Sequence, residues 1–293
     1  MNILITGSAG RVGRAIYIHL MKKYRVTGLD KTPCSTADIV GDIRSPEVLE
    51  KALDGVDVIV HTAALHAPQV GLVDEEEFEA VNVKATEKLA LAGLQAGVKH
   101  FIFTSTTALY GKASTPEGTA GWVDETLCPQ PKTVYHRSKL AAEKLLENIS
   151  HLFALPVTVL QMSRCFPEPA DLMAVYRLSR GIDARDVARA HACAIEKRLP
   201  GFNRFILSGK TPFNPGLCPR LFADAAAVIR ELQPKLAEEF IRRGWSLPAR
   251  LDRVYDSALA QQKLGWQPEY GYQSVLAMLD EEVAEVLPVL ARS

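Results

Sequence analysis

The chain reads as an α/β protein built on a doubly wound parallel sheet, with a small, mostly helical C-terminal region laid beside it. Three features carry that reading. Short apolar runs rich in β-branched residues alternate with longer runs of helical spacing from Asn2 to Met162. Gly7, Gly10 and Gly13 lie between the first apolar run and the first helical one. After Met162 the alternation loosens and prolines accumulate. Crossovers between parallel strands of this kind are right-handed.

In chain order, Asn2 to Thr6 is a buried strand, and the helix-forming run from Arg14 ends near Lys22-Lys23. A strand, a glycine turn and a helix together make a dinucleotide site. Glycine permits positive φ and close approach of a pyrophosphate, and the free N–H groups of the first helical turn meet its charge. Arg25 to Leu29 is the second strand, closed by Asp30, whose carboxylate can accept from ribose hydroxyls and repels an added 2′-phosphate. Lys31 beside it offers a cation to that phosphate, so the balance predicts NAD over NADP. Ala37 to Val40 is a weaker strand. Ser45-Pro46 caps and opens a helix to about Leu53. Val56 to His61 is a buried strand ending in the small residues Thr62, Ala63 and Ala64. Asp74 to Ala96 has helical spacing and contains Asn82, a poor helix former. Phe101 to Ser105 is a strand, followed by a polar, proline-bearing loop to about Pro131. Val134 to Phe153 is a helix and Pro156 to Met162 a strand.

Beyond Met162, residues from Ser163 to Gly181 show no clean period. Asp186 to Glu196 reads as a helix, Phe205 to Leu207 as a strand, and Thr211 to Pro219 as loop. Leu221 to Glu231, Leu236 to Arg243 and Tyr272 to Val286 read as helices. The expected division is a nucleotide-binding domain over residues 1–162, rejoined by about 183–207. Residues 163–182 and 208–293 form the substrate-binding region.

Composition narrows the partners. The 293 residues carry a formal net charge of zero, which gives no electrostatic reason to expect nucleic acid or an anionic membrane. No apolar run reaches spanning length, and the five cysteines are scattered without a CxxC pair, so neither a disulfide framework nor a zinc site is expected. A cytoplasmic enzyme acting on a small molecule is the expectation, with no metal.

Chemistry is carried by Thr106, Tyr135 and Lys139. The tyrosine and lysine are four residues apart and share one helix face. A free phenol, with a pKa of about 10, is a poor base at neutral pH. A neighbouring ammonium favours the phenolate, which can then exchange a proton with a substrate oxygen while a nicotinamide ring exchanges hydride at the same carbon. A strand-end hydroxyl such as Thr106 can hold that oxygen in line.

Taken together, these residues resemble the extended short-chain dehydrogenase/reductases, the NAD-dependent epimerase/dehydratase group. Gly7-Ser-Ala-Gly10-Arg11-Val12-Gly13 is similar to its GxxGxxG loop, in which the N–H groups of the middle residues meet the pyrophosphate. Asp30 takes the place of the ribose-binding acid, and Asp42-Ile43 the pair beside the adenine. His61-Thr62-Ala63-Ala64 resembles the strand end along the cofactor, and Asn82 the helix asparagine. Thr104-Ser105-Thr106 and Tyr135-His-Arg-Ser-Lys139 resemble the hydroxyl-bearing strand end and YxxxK. The resemblance implies a Rossmann-type fold, NAD as cofactor, catalysis by Thr106, Tyr135 and Lys139, and a ribose contact for Lys139. Arg164-Cys165-Phe166 resembles the segment closing over the nicotinamide. Arg185 to Ala188 and Leu264 to Pro268 resemble late motifs of the group. It also implies a homodimer through helices near Glu77–Ala96 and Val134–Phe153.

The pattern departs at Pro167-Glu168, where nucleotide-sugar epimerases carry an asparagine, and in the short stretch from Met162 to Asp183. Thr107 also stands where sugar dehydratases carry an acid. These departures point to a sugar, sugar acid or similar secondary alcohol. His66, Gln69, Thr106, Thr107, Arg177 and Arg180 are the candidate substrate contacts. The alternatives are a nucleotide-sugar epimerase with retained NAD and an NAD(P)-binding regulator without chemistry.

Overall fold

The computed structural model describes residues 1–289. The elements run β1 (Asn2–Thr6), α1 (Arg11–Leu20), β2 (Arg25–Asp30), β3 (Ile39–Val40), α2 (Pro46–Leu53), β4 (Val58–His61), α3 (Glu75–Glu79), α4 (Ala85–Gln95), β5 (His100–Thr106), β6 (Gly121–Val123), α5 (Val134–Phe153) and β7 (Val157–Met162). They continue as α6 (Ala170–Ser179), α7 (Ala184–Lys197), β8 (Phe202–Leu207), α8 (Cys218–Leu232, kinked at Asp224), α9 (Pro234–Arg242), β9 (Arg253–Tyr255), α10 (Ala258–Leu264) and α11 (Tyr272–Asp280).

Seven strands form one parallel sheet in the order β3-β2-β1-β4-β5-β7-β8. The chain winds outward from β1 through β2 to β3, then restarts at β4 and winds the other way. The strand order therefore reverses between β1 and β4, and the crevice beyond their carboxyl ends is where such sheets take ligands. Thr6 pairs with Leu29 on one side and His61 on the other, which fixes that edge of the crevice. The central strands are apolar on both faces because helices cover both. Ile3, Ile5, Val58, Val60 and Ile102 pack under α1 and α7, whereas Leu4, Ile59, Phe101 and Phe103 pack under α2, α4 and α5. Two flanking sequence signals are used as expected: Ser45 accepts from the Val48 N–H at 3.3 Å, and Pro46 opens α2.

A second apolar cluster joins α6, α8, α9 and α11 with Ala120 and Val254, so the late helices share a core of their own beside the sheet. Several elements differ from the sequence reading. Helix α1 begins at Arg11, so Val12 and Gly13 belong to its first turn. The run expected as one helix over Asp74 to Ala96 contains a π-helical stretch, Ala80–Lys84, between α3 and α4. The stretch without clean period holds α6, whose apolar residues lie on several faces because it is buried on most of them; Met173, Ala174, Val175 and Leu178 all lie in the second core. The three-residue strands β6 and β9, paired in parallel, are too short to show a period, and α10 was not anticipated. Helix α11 ends at Asp280 rather than near Val286. Among the described residues no helix is long and apolar enough to cross a membrane.

Candidate active site

The turn after β1 is fixed by space. Gly7 has φ +73°, and a Cβ there would lie 2.6 Å from the Ala63 nitrogen. Its N–H donates to the Leu29 carbonyl at 2.8 Å, which ties the turn to β2. A Cβ on Gly13 would stand 2.1 Å from the Gly7 carbonyl oxygen, so α1 sits directly against the turn. Gly10 is the N-cap of α1 and makes no side-chain cap, leaving the first-turn N–H groups of Arg11, Val12 and Gly13 without a side-chain acceptor from it. Ser8 Oγ and Arg11 Nε are buried and unpartnered at the same turn. Loop, free donors and orphaned polar atoms fit a bound diphosphate.

Asp30 ends β2 and accepts from the Ala9 N–H at 3.0 Å and the Thr32 N–H at 2.9 Å, so its carboxylate stands at the rim of the turn. Lys31 is exposed. Asp42 is gripped by Arg44, with Nη2 at 2.6 Å, and the same guanidinium reaches Glu77 at 2.9 Å. That hydrogen bonding holds the Asp42 carboxyl below its usual range. Ile43 is buried against α2.

Along the strand ends, Thr62 donates its hydroxyl to the Thr6 carbonyl at 2.8 Å, and Ala63 packs on Gly7. The ring of His61 bridges Thr6 Oγ1 at 2.6 Å and Thr86 Oγ1 at 2.9 Å. Since Thr86 donates to the Asn82 carbonyl, His61 donates to it from Nε2 and accepts from Thr6 at Nδ1. Burial lowers this histidine to about 3, so it is neutral at pH 7. Asn82 lies in the π-helical stretch. It accepts from the Leu65 N–H at 2.8 Å, donates to the Leu65 carbonyl at 2.9 Å, and donates to Ser138 Oγ at 2.9 Å. It thereby pins the loop beyond Ala64 to α5, and wide turns of this kind recur at functional sites.

Tyr135 and Lys139 follow from the start of α5, where Thr133 caps by accepting from the His136 N–H at 3.3 Å. The Tyr135 hydroxyl faces Thr106, the last residue of β5. Lys139 donates from Nζ to the Thr104 carbonyl at 2.8 Å and lies 3.8 Å from the Phe103 ring centroid. Lys139 is 3% exposed, and burial pushes its amine down to about 7. Burial likewise pushes the Tyr135 phenol up to about 12, with the Thr106 hydrogen bond pulling the other way. The sequence reading has Lys139 depress the phenol; in the chain alone burial governs both groups.

Other expected contacts are redirected. Thr104 gives its hydroxyl to His191 Nε2 at 2.8 Å, because His191 Nδ1 already faces the Val187 carbonyl at 2.8 Å. Ser105 points to the other face of the strand and donates to Glu143 at 2.5 Å, so its hydroxyl does not serve the cleft. Thr107 is buried, its hydroxyl 3.5 Å from the Met162 carbonyl, and is removed from the substrate side. Arg177 is 2% exposed and paired with Asp183 at 3.0 Å; a substrate anion has no path to it.

The cover comes from two segments. The carbonyl of Cys165 accepts from the Arg11 guanidinium, which also pairs with Glu285. Phe166 is exposed and stacks on His66 with ring centroids 6.0 Å apart. Gln69 accepts from the His66 N–H at 2.6 Å and so holds that histidine. Arg180 lies on the Tyr176 ring at 4.5 Å and faces Asp252 at 3.4 Å.

Sequence reasoning missed the layer behind the pair. Glu143, one turn past Lys139, is buried and bonded to Ser105 and Gln161, with Arg204 beside it. Its signal was available: a carboxylate four residues after Lys139 on the same helix face. Among the described residues no cluster of His, Cys, Asp or Glu is arranged to hold a metal ion.

Comparison with known proteins agrees with this geometry. Residues 3–169 match the model of the NAD dependent epimerase/dehydratase family. A 3-beta-hydroxysteroid dehydrogenase of Mycolicibacterium neoaurum is 32% identical over 158 residues, 49% of this chain and 42% of its own. An uncharacterized UDP-glucose epimerase of Bacillus subtilis is 29% identical over 199 residues, 61% of each chain. The chain thus spans less than two thirds of these relatives' lengths. In fold, a short-chain dehydrogenase/reductase superfamily protein from Agrobacterium tumefaciens, solved with bound NAD, superposes with a TM-score of 0.72 at 21% identity, covering 97% of this chain and 98% of its own. With the matched region spanning the glycine turn, the Thr106 strand end and the Tyr135–Lys139 helix, the chain belongs to the NAD-dependent epimerase/dehydratase family.

Proposed function

We propose that the protein is an NAD-dependent enzyme that moves hydride at a secondary alcohol or carbonyl carbon of a sugar, sugar acid or similar small molecule. The observation that carries this reading is Tyr135 facing Thr106, with Lys139 buried one turn further on and donating to the Thr104 carbonyl, at strand ends beside the glycine turn. The bound nicotinamide supplies a hydride acceptor or donor. The residues do the rest. The glycine turn and the first turn of α1 hold the diphosphate, and Asp30 accepts from ribose hydroxyls. Lys139 binds the nicotinamide ribose and presents its charge to Tyr135. Thr106 holds the substrate oxygen, and Tyr135 takes or gives its proton.

A small substrate is favoured by the short cover. Pro167 offers no amide side chain where larger nucleotide-sugar substrates are held in related enzymes, and Glu168 is engaged with Arg164. His66, Gln69 and Arg180 remain the residues best disposed to meet it. The test is a screen of sugars, sugar acids and alcohols for NADH formation by absorbance, with chromatography for isomers where no NADH accumulates. Turnover is expected with at least one, and NADH is expected to bind at least about tenfold tighter than NADPH, roughly 1.4 kcal/mol. Tighter NADPH binding would overturn the role given to Asp30.

Two copies pair, on this reading, through the outer faces of α4 and α5. Leu91 on α4 is partly exposed, and a hollow of about 340 Å³ lies beside α5, lined by Glu75, Glu79, Val134, Arg137 and Ala141. Light scattering is expected to give twice the 32.1 kDa chain mass, and a monomer mass would rule the pairing out.

A further inference from the structure

Glu143 is fully buried, and an ionised carboxylate there is costly unless its neighbours answer it. Its neighbours are donors. Ser105 Oγ donates at 2.5 Å, and Gln161 Nε2 faces both oxygens at 3.0 and 2.9 Å. The Gln161 amide is itself oriented, since Tyr110 donates its hydroxyl to Oε1 at 2.9 Å. Arg204 Nε stands 2.9 Å from Glu143 Oε2 without the alignment of a hydrogen bond, so that contact is charge against charge. Arg204 comes from β8, the edge strand, and its side chain is 30% exposed. A line of contacts therefore runs from solvent at the sheet edge to a buried carboxyl group one helical turn from Lys139.

Lys139 needs such an anion. Its own direct contacts are a carbonyl and an aromatic ring, neither of which carries a full charge. The titratable groups around it are few. His61 faces it from β4 and is neutral. His191 from α7 sits on Thr104 and is held at about 4 by burial, hence neutral as well. Tyr135 on its own helix is a neutral phenol in the free chain. Among the described residues Glu143 is the carboxylate that faces it. Burial pushes the Glu143 carboxyl up, and Arg204, Ser105, Gln161 and Lys139 pull it back down; the Tyr110 phenol, which Glu125 and Asp124 also face, stands beside them.

We propose that Glu143, held as an anion by Arg204, is a positioning residue for this site. It raises the share of Lys139 in its ammonium form at neutral pH, so that the amine oriented by the Thr104 carbonyl presents charge and protons to the cofactor ribose and to Tyr135. Burial pushes Lys139 down to about 7 with Glu143 already pulling upward, so the charged fraction of the amine near neutrality follows the state of this carboxylate. The inference rests on the reading of Lys139 as the group that touches the ribose.

The test uses NADH as the probe, in fluorescence titrations between about pH 5.5 and 9, a range that brackets the Lys139 value. An ammonium binds ribose hydroxyls better than an amine, so affinity falls as pH rises through the Lys139 titration. In Glu143→Gln the midpoint of that fall is expected to move down by about one pH unit or more, a tenfold change in the proton affinity of the amine. Arg204→Met is expected to move it the same way, because a carboxylate without its cation takes up a proton more readily. In Lys139→Met the inflection is expected to vanish. A role in packing alone would lower the melting temperature of Glu143→Gln and leave the midpoint fixed; that result overturns the inference. Should Glu143→Gln fail to fold, Arg204→Met decides on the same criterion, since its side chain is partly exposed. An inflection that persists in Lys139→Met overturns the ribose contact, and the inference with it. An inflection lost there but unmoved in the other two variants overturns the inference alone.

Discussion

Tyr135→Phe is expected to lower turnover about 10²- to 10⁴-fold on any substrate the wild-type enzyme converts, the range typical of a removed general acid–base group. The substitution deletes one oxygen. The ring remains beside His136 at 6.0 Å, and α5 keeps its Thr133 cap, so the helix that carries the site is undisturbed. What disappears is the hydroxyl that faces Thr106 and, on the proposed reading, exchanges the substrate proton. NADH affinity is expected to stay within about threefold of wild type, because the ribose is assigned to Lys139 and the diphosphate to the turn; that is under 1 kcal/mol. Steady-state kinetics and NADH titration on the same preparation check both halves. Turnover within a few-fold of wild type, on a confirmed substrate, removes Tyr135 from the chemistry.

Gly13→Ala is expected to weaken NADH binding at least about tenfold and to destabilise the chain by about 1–3 kcal/mol, the usual cost of forcing a methyl group into a packed site. The new Cβ would lie 2.1 Å from the Gly7 oxygen, 2.8 Å from its carbonyl carbon and 2.9 Å from Thr62 Oγ1. Two of these three atoms are backbone and cannot swing aside. Relief comes only if α1 moves off the turn, which carries its first-turn N–H groups away from the turn that Ala9 ties to Asp30. Thermal unfolding and NADH titration read the two losses separately. Full affinity in a folded Gly13→Ala protein would show that the turn does not hold the diphosphate.

The nucleotide half of the molecule was legible because its determinants are local. Gly7, Gly10 and Gly13 constrain a single turn, β1 and the start of α5 were read to the residue, and Ser45-Pro46 marks the start of α2 with two independent signals. What escaped depends on contacts far apart in sequence. Arg177 looked like a cation free to meet an anion, yet it is buried and paired with Asp183, and exposure is not written in residue type. Ser105 and Thr107 stand in the right stretch, but strand alternation and burial turn their hydroxyls toward Glu143 and Met162. Helix α6 lacks one clean stripe because burial on most sides removes the need for one. Glu143 was visible only as one more charge on a helix until β7 and β8 brought Gln161 and Arg204 to it.

The wide turn at Ala80–Lys84 sets α3 and α4 out of phase with a single regular helix. Each residue of an α-helix advances about 100° around the axis. Excising one residue there to restore regular pitch would swing Asn82 roughly a quarter of the way round, off Leu65 and Ser138 together. The length of this segment is therefore as tightly constrained as its composition, and a family member one residue shorter would have to moor the loop beyond β4 by other means.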